Sequence, residues 1–190
     1  MRQILFVQGG GADVHDTWDN TLVDSLRREL GAGYEVSYPR MPNEGDPSFP
    51  PWRAALEHEL DGLQAGAVVV GHSIGGTILI HTLAEYAPNA SLGAIVLIAT
   101  PFVGAGGWPS EDIESCSDLG ARLPRGVPVA LYHGEKDDTV PVAHAELYAR
   151  AIPQARVHRL PGRDHQLGND LSEVASDIRK IASSRTDVRR

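Results

Sequence analysis

Six short apolar runs, separated by longer segments with helical spacing, constrain this chain more than any other feature. The runs are Ile4–Val7, Tyr34–Tyr38, Ala67–Val70, Ala94–Ala99, Val127–Tyr132 and Arg156–Leu160. Three of them are almost solidly Val, Ile and Leu, as strands covered on both faces must be. Between them, Leu22, Leu26 and Leu30 recur at helical spacing, as do Leu56, Leu60 and Leu63. The stretches Ile78–Tyr86, Ala143–Ala151 and Leu171–Ile181 read as further helices. Strand and helix in alternation give repeated right-handed βαβ units, hence an α/β class with a mainly parallel sheet of about six strands and helices on both faces. At 190 residues the chain fits one domain spanning 1–190, long enough to bury one proper core.

Two connections depart from this rhythm. Pro39 to Trp52 holds Pro39, Pro42, Pro47, Pro50 and Pro51 and reads as a rigid excursion before a helix starting near Trp52. Pro101 to Gly126 is long for a compact domain and reads as a short cap, with Phe102 and Trp108 as its aromatics and Glu111, Asp112 and Glu114 as an acidic patch.

Composition narrows the partners. The net charge is −8, with no basic block before the last few residues, so neither nucleic acid nor an anionic membrane is expected. The single Cys116 excludes an intramolecular disulfide and a cysteine-based zinc cluster, and no His pair has the spacing of a helical zinc site. No run approaches the ~20 apolar residues of a membrane span, and the first nine residues are too short for a signal-peptide core. A cytoplasmic location is the expectation. No cofactor and no metal are expected, and no protein partner is indicated.

Chemistry concentrates in Gly71-His72-Ser73-Ile74-Gly75-Gly76, directly after one apolar run and directly before the helix Thr77–Tyr86. A serine on a sharp strand-to-helix turn needs glycine two residues to either side, because side chains would clash there. Such a turn exposes the hydroxyl at the carboxyl end of the sheet, where the helix N-terminus and the Ile74 N–H can stabilise an oxyanion. A serine hydroxyl needs a base and an orienting acid. His165 follows the sixth run and Asp137 the fifth, both in loops at the sheet edge that bears Ser73; Asp138 is the alternative acid. After the first run comes Gln8-Gly9-Gly10-Gly11-Ala12-Asp13. As a dinucleotide loop it lacks the third glycine and a clean helix start. As an oxyanion loop it fits, with the Gly10 N–H paired to that of Ile74 and Gly11 as the alternative donor. His15, after this loop, is a candidate at the substrate rim together with Gly11, Phe102 and Trp108. The remaining histidines, His58, His72, His81, His133, His144 and His158, read as structural.

Taken together, these residues resemble the α/β-hydrolase superfamily in its small single-domain form. The chain order Ser73, Asp137, His165 and the elbow around Ser73 carry that likeness. The similarity is greatest to the retinoblastoma-binding serine hydrolases and their bacterial relatives, through Gly9-Gly10-Gly11, Tyr38-Pro39-Arg40-Met41-Pro42, Trp52 and the elbow. Two residues depart from the pattern: Gln8 stands where many members have His, and Asp164 precedes His165 where a small residue is common. The resemblance implies a three-layer fold with a minimal cap and acyl transfer on a small-molecule acyl substrate. Ser73 would be nucleophile, His165 base, Asp137 its orienting acid, and Gly10 and Ile74 the oxyanion donors. A carboxylesterase is the main expectation. A thioesterase or peptidase with the same residues, or a non-catalytic protein-binding scaffold, are the alternatives. Because His165 must be neutral to accept a proton, kcat/KM is expected to fall as pH drops through about 6.5.

Overall fold

In the computed structural model, which describes residues 1–114 and 116–187, the six apolar runs become six strands of one sheet. They are β1 (Arg2–Val7), β2 (Tyr34–Ser37), β3 (Val68–His72), β4 (Ala94–Ile98), β5 (Val129–Gly134) and β6 (Ala155–Leu160). All pair in parallel, in the order β2-β1-β3-β4-β5-β6. The inner strands β3, β4 and β5 are buried along their whole length, whereas the edge strands β2 and β6 are partly exposed. This is a three-layer α/β architecture, a six-stranded parallel sheet between two layers of helices.

Strand periodicity sorts the core into two layers. From β1, Ile4 and Phe6 point to the side covered by α2 (Asp19–Leu30) and α7 (Ser172–Asp187), where Leu22, Val23, Leu26, Leu171, Val174 and Ile178 meet them. Leu5 and Val7 point to the other side, against α3 (Phe49–Asp61), α4 (Ser73–Glu85) and α6 (Ala143–Ala151). There Trp52, Leu56, Ile78, Leu79 and Tyr148 close the second layer. The short helices α1 (Val14–Thr17) and α5 (Leu119–Arg122) and a 3-10 turn at Leu167–Asn169 complete the described set.

Two helices begin earlier than the spacing suggests. Helix α3 starts at Phe49, with proline in its first turn. Proline is tolerated there because the N–H it lacks would have no intrahelical partner. Helix α4 starts at Ser73 itself rather than at Thr77, so the strand passes into the helix with no loop between them. Glycine makes this junction possible. A Cβ on Gly71 would stand 2.5 Å from the Gly76 Cα, and one on Gly75 would stand 1.9 Å from the Gln8 carbonyl oxygen.

The 101–126 excursion lies flat on the molecule. Phe102, Val103, Ile113, Leu119 and Leu123 are buried in the second core layer, and Val103 bridges Trp108. Ser115 of this segment and the terminal Val188, Arg189 and Arg190 lie outside the described residues. No helix among the described residues is long and apolar enough to cross a membrane.

Candidate active site

The carboxyl edge of the sheet gathers residues from the ends of β1, β3, β5 and β6. Ser73, at the β3–α4 junction, has φ 51°, in the left-handed region where non-glycine residues are strained by about 1–3 kcal/mol. Its Oγ stands 3.1 Å from His165 Nε2, and His165 Nδ1 stands 2.8 Å from Asp137 Oδ2. Asp137 is fully enclosed, and its Oδ1 accepts the Thr139 and Val140 N–H groups at 2.9 and 2.8 Å. His133 Nε2 lies 3.2 Å from Oδ2 as well. Asp138 points outward and does not reach the imidazole; it lines the pocket instead. Burial, the largest influence on the Asp137 carboxyl, would raise its pKa. The hydrogen bonds from His133, His165 and the Val140 N–H outweigh it and hold the group well below the usual carboxylate range. Asp137 therefore keeps His165 Nδ1 protonated and leaves Nε2 as the acceptor facing the hydroxyl.

The glycine loop after β1 is fixed from three sides. The Gly9 N–H donates to Asp19 Oδ2 at 2.6 Å, and the Gly11 N–H donates to the Glu44 carbonyl at 2.7 Å. Gln8, fully buried, donates from Nε2 to Glu44 Oε2 at 2.5 Å and accepts the Met41 N–H on Oε1 at 2.9 Å. The Gly11 N–H is thereby committed, which removes it as an oxyanion donor. The Gly10 N–H has no acceptor among the described residues. Gly10 also lies against Ile74, since a Cβ on it would stand 2.8 Å from Ile74 Cγ2. Ile74 sits in the first turn of α4, whose N–H groups have no intrahelical acceptor. Two N–H donors thus flank Ser73, and such a pair can stabilise a developing oxyanion.

An open pocket of about 430 Å³ lies over Ser73, with Gly10, Gly11, Trp18, Asp138, Asp164 and His165 among its walls. Three expected rim residues are elsewhere. His15 stacks on Tyr38 with ring centroids 4.1 Å apart, and its ring nitrogens face Asp16 and the Tyr38 carbonyl, so no ring nitrogen is left for a substrate. Phe102 is buried edge-on against Tyr148, and Trp108 packs edge-on against His144. Neither lines the pocket, because both pin down the flat 101–126 segment. The aromatic at the pocket is Trp18, 57% exposed between α1 and α2.

Two positions around the site escape the motif-based reading. Asp19 falls on the same face as Leu22, Val23, Leu26 and Leu30, and a carboxylate within that apolar stripe is a signal the spacing already contains. Glu44, inside the proline-rich excursion, gathers Gln8, Gly11 and Arg40 and carries no comparable mark.

Residues 4–116, more than half of the chain, match the family described as "Alpha/beta hydrolase family". Among solved structures, the ydeN gene product of B. subtilis is 20% identical, with 96% of this chain and 100% of that one covered at a TM-score of 0.76. The esterase domain of a Rhodothermus marinus protein is 21% identical, covering 96% of this chain and 85% of that one at 0.65. The esterase RhEst1 from a Rhodococcus species is 17% identical, covering 96% and 90% at 0.69. At these identities the likeness is one of fold. No curated protein matches the chain in sequence.

Proposed function

The chain belongs to the alpha/beta hydrolase family, and from that membership and the geometry of its carboxyl edge we propose that it is a carboxylesterase-like serine hydrolase. The observation that carries this reading is the hydrogen-bonded line Ser73–His165–Asp137 at the floor of an open pocket. Ser73 Oγ attacks the ester carbonyl carbon while His165 Nε2 takes its proton. The tetrahedral oxyanion is held by the Gly10 and Ile74 N–H groups. As it collapses, the C–O bond to the alcohol breaks, and the leaving oxygen takes the proton from His165. Water, activated by the same imidazole, then releases the acid and restores Ser73.

The substrate side of the reading rests on the pocket walls. Asp138 and Asp164 are its acidic side chains, and no Lys or Arg belongs to its described lining. Esters whose acyl or alcohol part is neutral or cationic suit such walls better than anionic ones. Within the family, kinship with the small single-domain serine hydrolases related to the retinoblastoma-binding protein is part of the same proposal. It is supported by the Tyr38–Pro42 segment, where the Met41 N–H holds Gln8 and the Pro42 carbonyl accepts Trp52 Nε1 at 2.7 Å. A cytoplasmic setting belongs to this reading too, in keeping with the single unpaired Cys116.

A fluorophosphonate probe tests the proposal. The native protein is expected to be labelled and to hydrolyse p-nitrophenyl acetate, and Ser73→Ala to lose both. Labelling that persists in Ser73→Ala would refute it.

A further inference from the structure

Beneath Ser73 lies a second histidine–aspartate pair that the reaction above does not use. His72 precedes the serine and Asp19 opens α2, and their side chains are 1% and 0% exposed. Asp19 Oδ2 stands 2.9 Å from His72 Nδ1 and also accepts the Gly9 N–H at 2.6 Å. Its Oδ1 accepts Gln166 Nε2 at 3.3 Å. On the far side of the ring, His72 Nε2 stands 3.2 Å from the carbonyl oxygen of His165. The two imidazoles are 4.9 Å apart, centroid to centroid.

Both ring nitrogens of His72 therefore face oxygens that can only accept. A neutral imidazole has one N–H, so in either tautomer a nitrogen lone pair would face an oxygen lone pair, a costly arrangement for side chains this deeply buried. The imidazolium has a donor for each. The titratable groups facing the ring are Asp19 from α2, His165 from the loop after β6, and Asp137 from the loop after β5. Burial, the largest influence, would lower the His72 pKa, but Asp19 above all outweighs it and raises the value above that of an ordinary imidazole.

We propose that Asp19 and His72 form a buried carboxylate–imidazolium pair that positions two parts of the reaction centre at once. Asp19 tethers the loop one residue before the Gly10 donor. His72 tethers the main chain of the proton-accepting His165. Neither side chain bonds Ser73 Oγ or the His165 ring, so both are positioning residues, and the role rests on the serine-hydrolase reading. Removing the charge slackens both tethers together, and misplacement on the order of 1 Å at a reaction centre can cost about 100-fold in rate.

The first test does not depend on activity. In the full chain labelled with ¹⁵N-histidine at pH 8, where an ordinary imidazole is mostly neutral, both His72 nitrogens are expected to carry protons. The resonances are assigned by their loss in His72→Gln. A lone-pair nitrogen on His72 at that pH would overturn the pair whatever the enzyme's activity. The second test is Asp19→Asn, which keeps the shape and removes the charge. It is expected to lower kcat on p-nitrophenyl acetate by about 10- to 100-fold with little change in KM, and to slow fluorophosphonate labelling in proportion. Native kcat with only a lowered Tm would mean that the pair merely holds the core, and would overturn the positioning role. Should Asp19→Asn not fold, the native spectrum decides the charge state alone. Native protein that resists the probe would bring down the serine-hydrolase reading without touching that spectrum.

Discussion

Replacing Asp137 by Asn separates the role of this carboxylate from that of its neighbour Asp138. Asp137 Oδ2 stands 2.8 Å from His165 Nδ1, and Oδ1 is already held by the Thr139 and Val140 N–H groups. An asparagine keeps those two bonds by presenting its oxygen to them, which turns its NH₂ toward His165. The imidazole must then accept at Nδ1 and carry its proton on Nε2, the nitrogen facing Ser73 Oγ. In that tautomer it cannot take the serine proton. The expected loss in kcat is about 10⁴-fold, or about 5.4 kcal/mol of transition-state stabilisation. Asp138→Asn changes an exposed side chain with no bond to the imidazole and should alter kcat by no more than roughly twofold, equivalent to about 0.4 kcal/mol. The assay is steady-state hydrolysis of p-nitrophenyl acetate by both variants, with circular dichroism to show native folding. A large loss in Asp138→Asn, or an Asp137→Asn enzyme within tenfold of native, would refute the assignment.

Further outcomes follow from the same geometry. Gly75→Ala drives a Cβ into the Gln8 main chain and should cost at least about 1–3 kcal/mol, whereas Gly33→Ala meets open space and should leave the urea midpoint near native. The Asp137 and Asp170 carboxyls have folded pKa values below their unfolded ones, Asp170 at about 2 through its Arg163 ion pair. Depressed acids contribute stability above the unfolded value of about 3.9 and lose it below. Thermal scans should therefore show Tm falling progressively between pH 4 and 2; a Tm that holds or rises across that interval would contradict this. Among esters of equal length, those with a cationic group should give higher kcat/KM than those with a carboxylate. Asp138→Lys should narrow that gap, and an unchanged ratio would remove Asp138 from substrate selection.

Much of this was readable from spacing, and the failures have physical causes. The six apolar runs mark the strands because a parallel sheet covered on both faces leaves few positions for polar residues. Their ends move by at most two residues, and the helix expected from Thr77 begins four residues earlier at Ser73, because apolar spacing is blind to where the chain changes direction. The glycines around Ser73 are legible because their neighbours are main chain at fixed offsets, as with Gly71 against Gly76. Side-chain direction in irregular segments is another matter. Phe102, Trp108 and Trp18 look equivalent as loop-borne aromatics, and only the docking of 101–126 onto the second core layer turns the first two away from the pocket. Glu44 is harder still, since its partners Gln8 and Gly11 are brought to it by pairing of β1 with β2.

The strand order carries a consequence for the timing of synthesis. From β3 onward, each new strand joins the same growing edge of the sheet, in the order in which it leaves the ribosome. Ser73 follows the third strand, whereas His165 follows the sixth and lies 92 residues further along. At the usual pace of translation this interval lasts roughly 5–20 s. Throughout it, a nascent chain can hold its serine and glycine loop in place with no imidazole to draw off the proton. On the proposed reading, the chain would stay inert toward acyl compounds until the loop after its last strand is delivered.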